Sequence, residues 1–326
     1  MIRRCVVAGG AGAVGGLFVR QLARSGAQVC IVDPARPDPT GPGVRYRPDD
    51  ITDPGPELAA ELRSADLVLL ALPEAAVVAA LPGVLRAMRP GAVLADTVSV
   101  KHRIAATVGA PTGPARVGGA GPGPADAAGV GIVSLNPMFA PSLGFAGRPV
   151  AAVVLRDRPS ARELLDLIGG WGARVVQMTA AEHDQLAGAT QALTHATILA
   201  FGLGLADLGL PVPRLGEVAP PPHATLLALL ARIVSGNPAV YWEVQATNPQ
   251  AERARTALAG GLQRLSWALT DRTGARFAAL YDELRTLLGD TRAHYRDRCE
   301  QIFAAPVQPP QPAPTPSPRS LRSRKA

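Results

Sequence analysis

One segment constrains this chain more than any other. A short apolar run, Cys5–Ala8, leads through Gly10-Ala-Gly12-Ala-Val-Gly15 into a helical pattern over Val14–Arg24. A second apolar run, Gln28–Val32, follows and is closed by Asp33. Strand, glycine turn, helix and strand in this order predict a β-α-β unit with parallel strands. In such a unit Gly10 permits the tight turn, Gly12 lets the backbone approach a pyrophosphate, and Gly15 allows close helix–strand packing. The phosphates then sit against the N–H groups of Ala13 and Val14, where the helix dipole favours anions. Asp33, eighteen residues after Gly15, suits ribose hydroxyls and repels a 2′-phosphate, which points to NAD rather than NADP. Arg36 works against that preference, and Asp33 has a second reading as the cap of the turn that follows it.

The alternation continues through the first half. Further strands are expected at Leu67–Ala71, Ala92–Ala95, Val130–Ser134, Val150–Val154 and Arg174–Gln177, with helices at Ala75–Met88 and Ala161–Gly169. These predict an α/β Rossmann-like, doubly wound parallel sheet over residues 1–178. Ligands of such sheets bind beyond the carboxyl ends of the strands. Leu72 and Pro73, Asp96–Lys101 and Asn136–Pro141 all follow strands and are expected to face one cleft. Gly113–Gly129 reads as a surface loop.

From Thr179 the strand pattern stops. Thr179-Ala-Ala-Glu182 is a capping box, and a long apolar helical run follows it to about Leu208. Helical periodicity then resumes after a proline-rich turn. Residues 179–303 are expected to form an all-α domain, with a first helix apolar enough to lie in a homodimer interface. Residues 304–326 hold seven prolines and no acidic group, a composition expected to stay disordered.

The net charge of +7 raises the question of nucleic acid or membrane partners. Four of those charges (Arg319, Arg322, Arg324, Lys325) sit in the tail, leaving a body near +3. With aromatic residues at 4%, neither partner is expected. No stretch is expected to reach membrane-spanning length without interruption. Three scattered cysteines suggest neither a disulfide framework nor a zinc site, and Cys5 and Cys30 read as buried strand residues. A reducing cytoplasm fits.

Three further segments carry a resemblance. Asp96-Thr-Val-Ser99-Val-Lys101, Leu135-Asn136-Pro-Met-Phe139-Ala-Pro141, and Glu182-His183-Asp184 with Gln191-Ala-Leu-Thr-His195 resemble the prephenate dehydrogenases, in consistent order up to about Arg298. The resemblance implies oxidative decarboxylation of a cyclohexadiene. Hydride leaves C4 for a nicotinamide, and loss of the ring carboxylate makes the product aromatic. It also implies that Arg232 holds a substrate carboxylate through its guanidinium fork. Ser99 would lie beside the substrate, His195 on a helix facing the pocket, and Tyr241 with Trp242 at a nearby aromatic position. Each has a plainer alternative: Ser99 as a helix cap, His195 as a core histidine, Arg232 as an ion-pair partner. His183, inside the capping box, reads as structural.

Position 136 departs from the pattern. The family carries a histidine there, which takes the proton of the substrate's 4-hydroxyl, and a glycine where this chain has Ala140. General-base catalysis of that kind is worth roughly 10²–10⁴-fold, and asparagine has no usable basicity. One reading is a 4-amino substrate, because a neutral nitrogen carries the charge left by hydride departure better than oxygen does. The chain would then convert 4-amino-4-deoxyprephenate to 4-aminophenylpyruvate. It would resemble the branch that supplies 4-aminophenylalanine to antibiotic biosynthesis. The alternatives are a prephenate dehydrogenase using another base, and a non-catalytic NAD-binding regulator.

Overall fold

The computed structural model describes residues 1–38, 41–110 and 129–304. The glycine-rich loop and the basic tail lie outside these, apart from their end residues Gly129 and Ala304. Eight strands form one sheet: β1 (Arg4–Ala8), β2 (Gln28–Val32), β3 (Val44–Arg47), β4 (Leu67–Leu70), β5 (Val93–Asp96), β6 (Gly131–Pro137), β7 (Pro149–Arg156) and β8 (Arg174–Gln177). Their spatial order is β3-β2-β1-β4-β5-β6-β7-β8. The order reverses beside β1, with Val6 opposite Cys30 of β2 on one side and Val68 of β4 on the other. That reversal opens a crevice at the carboxyl ends of β1 and β4.

The sheet is parallel from β3 to β6, as the alternating pattern implies. The β6–β7 pair is antiparallel, with Leu135 opposite Ala152, and β8 follows β7 in parallel. The connection explains the reversal. Only the chain from Met138 to Arg148 separates β6 from β7, with a single 3₁₀ turn at Pro141–Leu143. That stretch holds no crossover helix, which a parallel return needs.

Alternate strand residues enter opposite layers. Val7, Leu69, Ala95 and Leu135 pack with Leu17, Phe18 and Leu22 of α1 (Ala13–Arg24) and with Leu164 and Ile168 of α5 (Pro159–Gly170). Val6, Val68, Leu70 and Leu94 pack on the other face with Leu58 and Leu62 of α2 (Pro56–Ser64) and Val77, Leu81 and Val84 of α3 (Glu74–Ala87). Burying each of these valine, leucine, isoleucine or phenylalanine side chains stabilises the fold by about 1.5–3 kcal/mol. Cys5 and Cys30 are buried among them, and burial pushes the Cys5 thiol up to about 12. Two short elements, β3 and α2, were not among the elements expected from the sequence.

The compact unit built on this sheet does not end where the strands end. It comprises Met1–Ala192 together with Ala239–Ala254, whereas the sequence pattern changes at residue 179. Helix α6 (Ala180–Ala187) starts at Thr179, whose hydroxyl accepts the Glu182 N–H at 3.1 Å. It stays with the sheet because it packs on β7 and on α4 (His102–Thr107). A π turn over Gly188–Ala192 then interrupts the helix before α7 (Leu193–Leu208). There a Cβ on Gly188 would meet the Gln250 side chain at 2.6 Å.

The second unit comprises Leu193–Pro238 and the chain from Arg255 onward. Among the described residues it is helical: α7, α8 (Val212–Glu217), α9 (Pro221–Val234), most of α11 (Ala251–Ala268), α12 (Ala275–Leu288) and α13 (Arg292–Phe303). Helix α10 (Pro238–Thr247) lies almost wholly in the first unit. Helices α7 and α9 approach closely at Gly202, where a Cβ would meet Leu230 at 2.8 Å. Contrary to the sequence expectation, Ala180–Leu208 is long and apolar enough by length and composition to cross a membrane. The π turn does not break that run. Buried core helices of soluble proteins meet the same criterion, but only 22% of this apolar window is buried.

Gly15 is the tightest point of the first β-α-β unit, since a Cβ there would lie 2.1 Å from the Gly9 carbonyl oxygen. Backbone must shift to admit it. Gly15→Ala is expected to destabilise the protein by about 1–3 kcal/mol, read as a lower denaturant midpoint with an unchanged slope.

Candidate active site

The glycine turn forms the first half of the site. Its positive φ falls on Gly9 (77°) rather than Gly10. Gly9 also lies against the chain after β4, where a Cβ would meet the Ala71 oxygen at 2.2 Å and Leu72 at 3.0 Å. Gly10 is needed for a different reason, because a Cβ would press on Ile31 at 2.8 Å. Gly12 caps α1 without a side-chain bond, and the first turn holds no acidic residue. The N–H groups of Ala13 and Val14 therefore lack an intrahelical acceptor and remain available to an anion. A groove of about 620 Å³ runs along this turn, lined by Gly10–Ala13, Arg20, Asp38, Pro141 and Ser142. This groove, beside free helix N–H groups and a turn kept tight by its glycines, fits a dinucleotide. Asp33 accepts the Ala11 N–H at 3.0 Å and the Ala35 N–H at 2.9 Å. It thus caps its turn and ties it to the glycine loop, and each oxygen keeps a lone pair. Leu72 and Pro73, the latter capping α3, follow β4 at the same edge of the sheet.

The second half gathers at the ends of β5 and β6. Asn136, buried in β6, donates from Nδ2 to the Nε2 of His183 at 3.1 Å and to the Oε1 of Gln191 at 3.4 Å. His183 is buried on α6, and its Nδ1 lies 2.9 Å from Asp184. Asp184 also accepts the N–H groups of Lys101 (2.8 Å) and His102 (3.0 Å) at the start of α4. Burial works to raise the Asp184 carboxyl, but the His183 bond and these two N–H groups outweigh it and hold it below the ordinary range. Burial also holds His183 below its ordinary value, against the pull of Asp184. The ring is therefore neutral at pH 7.

Lys101 lies under this network, fully buried. Its Nζ donates to the carbonyls of Val98 (2.6 Å) and Leu135 (2.7 Å) and lies 3.8 Å from Asp96. Desolvation lowers it to about 8, opposed by the charges of Asp96 and Asp184. Asp96 accepts the hydroxyl of Ser134 (2.6 Å) and the N–H of Val98 (3.1 Å). The lysine thereby binds the ends of β5 and β6 together and fixes the backbone on which Asn136 stands. Ser99 is half-buried in the loop between Asp96 and Lys101 and does not cap α4.

The remaining candidates fall into two groups. Tyr241 lies on α10 in the first unit, where Glu243 of the same helix accepts the Glu74 N–H at the start of α3 (2.9 Å). His195 on α7 and Arg232 on α9 belong to the second unit. They are close enough there for the arginine's charge to add to desolvation in lowering the histidine. Arg232 itself is exposed. His183, Asp184 and Gln191 complete the surroundings of Asn136, and the histidine of the capping box faces inward onto the amide. The cap itself was the available signal. Thr179 as N-cap puts residues 182–184 in the first turns of α6, where a His-Asp pair can face inward.

No family model matches the chain. A protein of Streptomyces pristinaespiralis described as 4-amino-4-deoxyprephenate dehydrogenase is 50% identical over 93% of this chain and 97% of its own length. The chain belongs to the prephenate dehydrogenase family. Its fold agrees with that of Aquifex aeolicus prephenate dehydrogenase, with a TM-score of 0.65 over 87% of this chain and 98% of that one at 14% identity. The same Aquifex enzyme in complex with hydroxyphenyl propionate and NAD+ gives a TM-score of 0.61 at 16% identity, covering 88% of this chain and 97% of that one. The buried lysine offers a direct test of the fold around Asn136. Lys101→Met leaves Asp96 buried without its counter-charge and two carbonyls without their donor. A loss of about 3–5 kcal/mol is expected for breaking such a pair, measured by denaturant unfolding.

Proposed function

We propose that this chain is an NAD-dependent dehydrogenase that oxidatively decarboxylates 4-amino-4-deoxyprephenate to 4-aminophenylpyruvate. The observation that carries this reading is Asn136, an amide with no basicity at the buried position where the family carries a histidine. The name of the Streptomyces relative supports it.

The dinucleotide would be held by Gly10, Gly12, Ala13, Val14 and Gly15, with Asp33 toward the ribose and Leu72 and Pro73 toward the nicotinamide. When bound, it supplies the acceptor for hydride. The chain's own groups have three tasks. By the family resemblance Arg232 would pair with a substrate carboxylate, its fork donating two parallel bonds. By the same resemblance Ser99 and Tyr241 would line the ring, with His195 as a further polar group. Asn136 orients the group on C4. As the C4–H bond breaks with its electron pair, the nitrogen lone pair forms a C=N bond to C4. The electron pair of the departing carboxylate then closes the aromatic ring and returns the lone pair to nitrogen. The amine sheds its ammonium proton to solvent before the step; the neutral amine then becomes a neutral arylamine with no proton to remove as hydride leaves, which is why a base at position 136 is dispensable. A hydroxyl would have to become cationic oxygen before losing its proton.

The reading predicts NADH formation with 4-amino-4-deoxyprephenate at a kcat/KM well above that with prephenate. Asn136→His should gain prephenate turnover by about 10²-fold or more, and Arg232→Ala should raise KM in the same assay. Comparable activity on both substrates in the wild type would remove the amino-substrate assignment. Dinucleotide binding without turnover of either compound would favour a regulator.

A homodimer is supported by the apolar surface of the helical elements. Leu203, Leu208, Val234, Trp242, Leu262 and Trp267 are all exposed in the single chain. Sedimentation at micromolar concentration should give twice the chain mass, and a monomer would exclude this assembly. The free thiols of Cys5, Cys30 and Cys299 support a cytoplasmic setting.

A further inference from the structure

We propose that His183 and Asp184 are positioning residues that set the polarity of the Asn136 amide, so that its oxygen alone is presented to the C4 nitrogen of the substrate. The proposal rests on the amino-substrate reading above, which explains why Asn136 is present but not how its amide is turned.

Hydrogen-bond chemistry fixes the orientation. Asp184 is ionised and can only accept, so the His183 nitrogen facing it at 2.9 Å must be Nδ1–H. The ring is neutral, which leaves Nε2 as a bare acceptor. The amide atom 3.1 Å from that acceptor must therefore be the NH₂ nitrogen. Its second hydrogen is directed to the Oε1 of Gln191 at 3.4 Å. Both hydrogens of Nδ2 are taken, and Oδ1 has no hydrogen-bond partner among the described residues. The chain Asp184–His183–Asn136 runs in one direction, and reversing any member would leave two donors or two acceptors face to face. Asp184 cannot swing away, because the N–H groups of Lys101 and His102 hold it in place.

The direction matters for the reaction. An amine that donates N–H to Oδ1 keeps its lone pair free to form the bond to C4. As hydride leaves, the nitrogen becomes positive and the N–H···O bond strengthens, so the interaction favours the transition state over the bound substrate. A reversed amide would donate to that lone pair and tie up the electrons the step requires.

The first test needs no substrate. In full-length protein carrying ¹⁵N-labelled histidine, with His183 assigned through backbone correlations, Nδ1 should be protonated and Nε2 bare at neutral pH. A protonated Nε2 would overturn the proposal. The second test is a double-mutant cycle on the holoenzyme. His183→Phe is expected to lower kcat by about 10–100-fold, the range seen when a group that orients a metal ligand is lost, with KM little changed. On an Asn136→Ala background the same change should have no further effect. Equal losses on both backgrounds would refute coupling through the amide. His183→Gln, which keeps an acceptor, should restore part of the activity and replaces His183→Phe in the cycle if the aromatic variant does not fold. Running the cycle with both substrates separates the two claims. A wild type that prefers prephenate removes the amino reading, whereas the tautomer and the coupling still decide the amide polarity.

Discussion

Asp184 is acceptor to three donors that arise from different levels of the structure: two backbone N–H groups opening α4 and the ring of His183 on its own helix. A buried carboxylate is costly unless its lone pairs are filled, and here the filling groups are the ones that must be placed. Through the N–H groups it holds the loop after β5, and with that loop Ser99 and Lys101. Through His183 it reaches Asn136 at the end of β6. Helix α6 therefore belongs with the sheet although its sequence pattern belongs with the helices that follow.

The glycine half of the site depends on the reversal in strand order. Beside β1 the chain turns outward in opposite directions, and the glycine cradle and the chain after β4 come together there because Gly9 has no side chain. The buried Lys101 performs the equivalent task at β5 and β6, where a charged amine bridges two strand ends through their carbonyls. The dinucleotide cradle is built from bare backbone and the substrate side from a dense polar network. That division suits a long flat anion on one side and a small ring on the other.

Much of this was legible in the residues. Central strands such as Leu67–Leu70 are unbroken apolar runs, and the glycine spacing and Asp33 sat in the order a β-α-β unit requires. The edge strand β3 escaped notice because Val44-Arg-Tyr-Arg47 is short and polar on alternate residues. The reversal at β7 was hidden because strand direction leaves no mark in a run of valine and alanine; only the lack of a helix between Met138 and Arg148 could have announced it. Asn136 stood out against a motif. His183 did not, since its importance lies in a partner 47 residues away, and pairwise placement of that kind is a property of packing rather than of local pattern. The positive φ at Gly9 in place of Gly10 shows the same limit at the scale of one residue.

The π turn at Gly188–Ala192 has a geometric consequence. An α-helix advances 3.6 residues per turn, so residues eight apart, such as His183 and Gln191, would differ in azimuth by about 80° on a regular helix. The widened turn absorbs that phase error and brings both side chains to Asn136. Rewinding that turn as regular α-helix with every residue kept would leave composition and helix content unchanged while rotating Gln191 off the amide. The hydrogen bonding of the Asn136 amide is thus exposed to a change in winding that no comparison of residue types would detect.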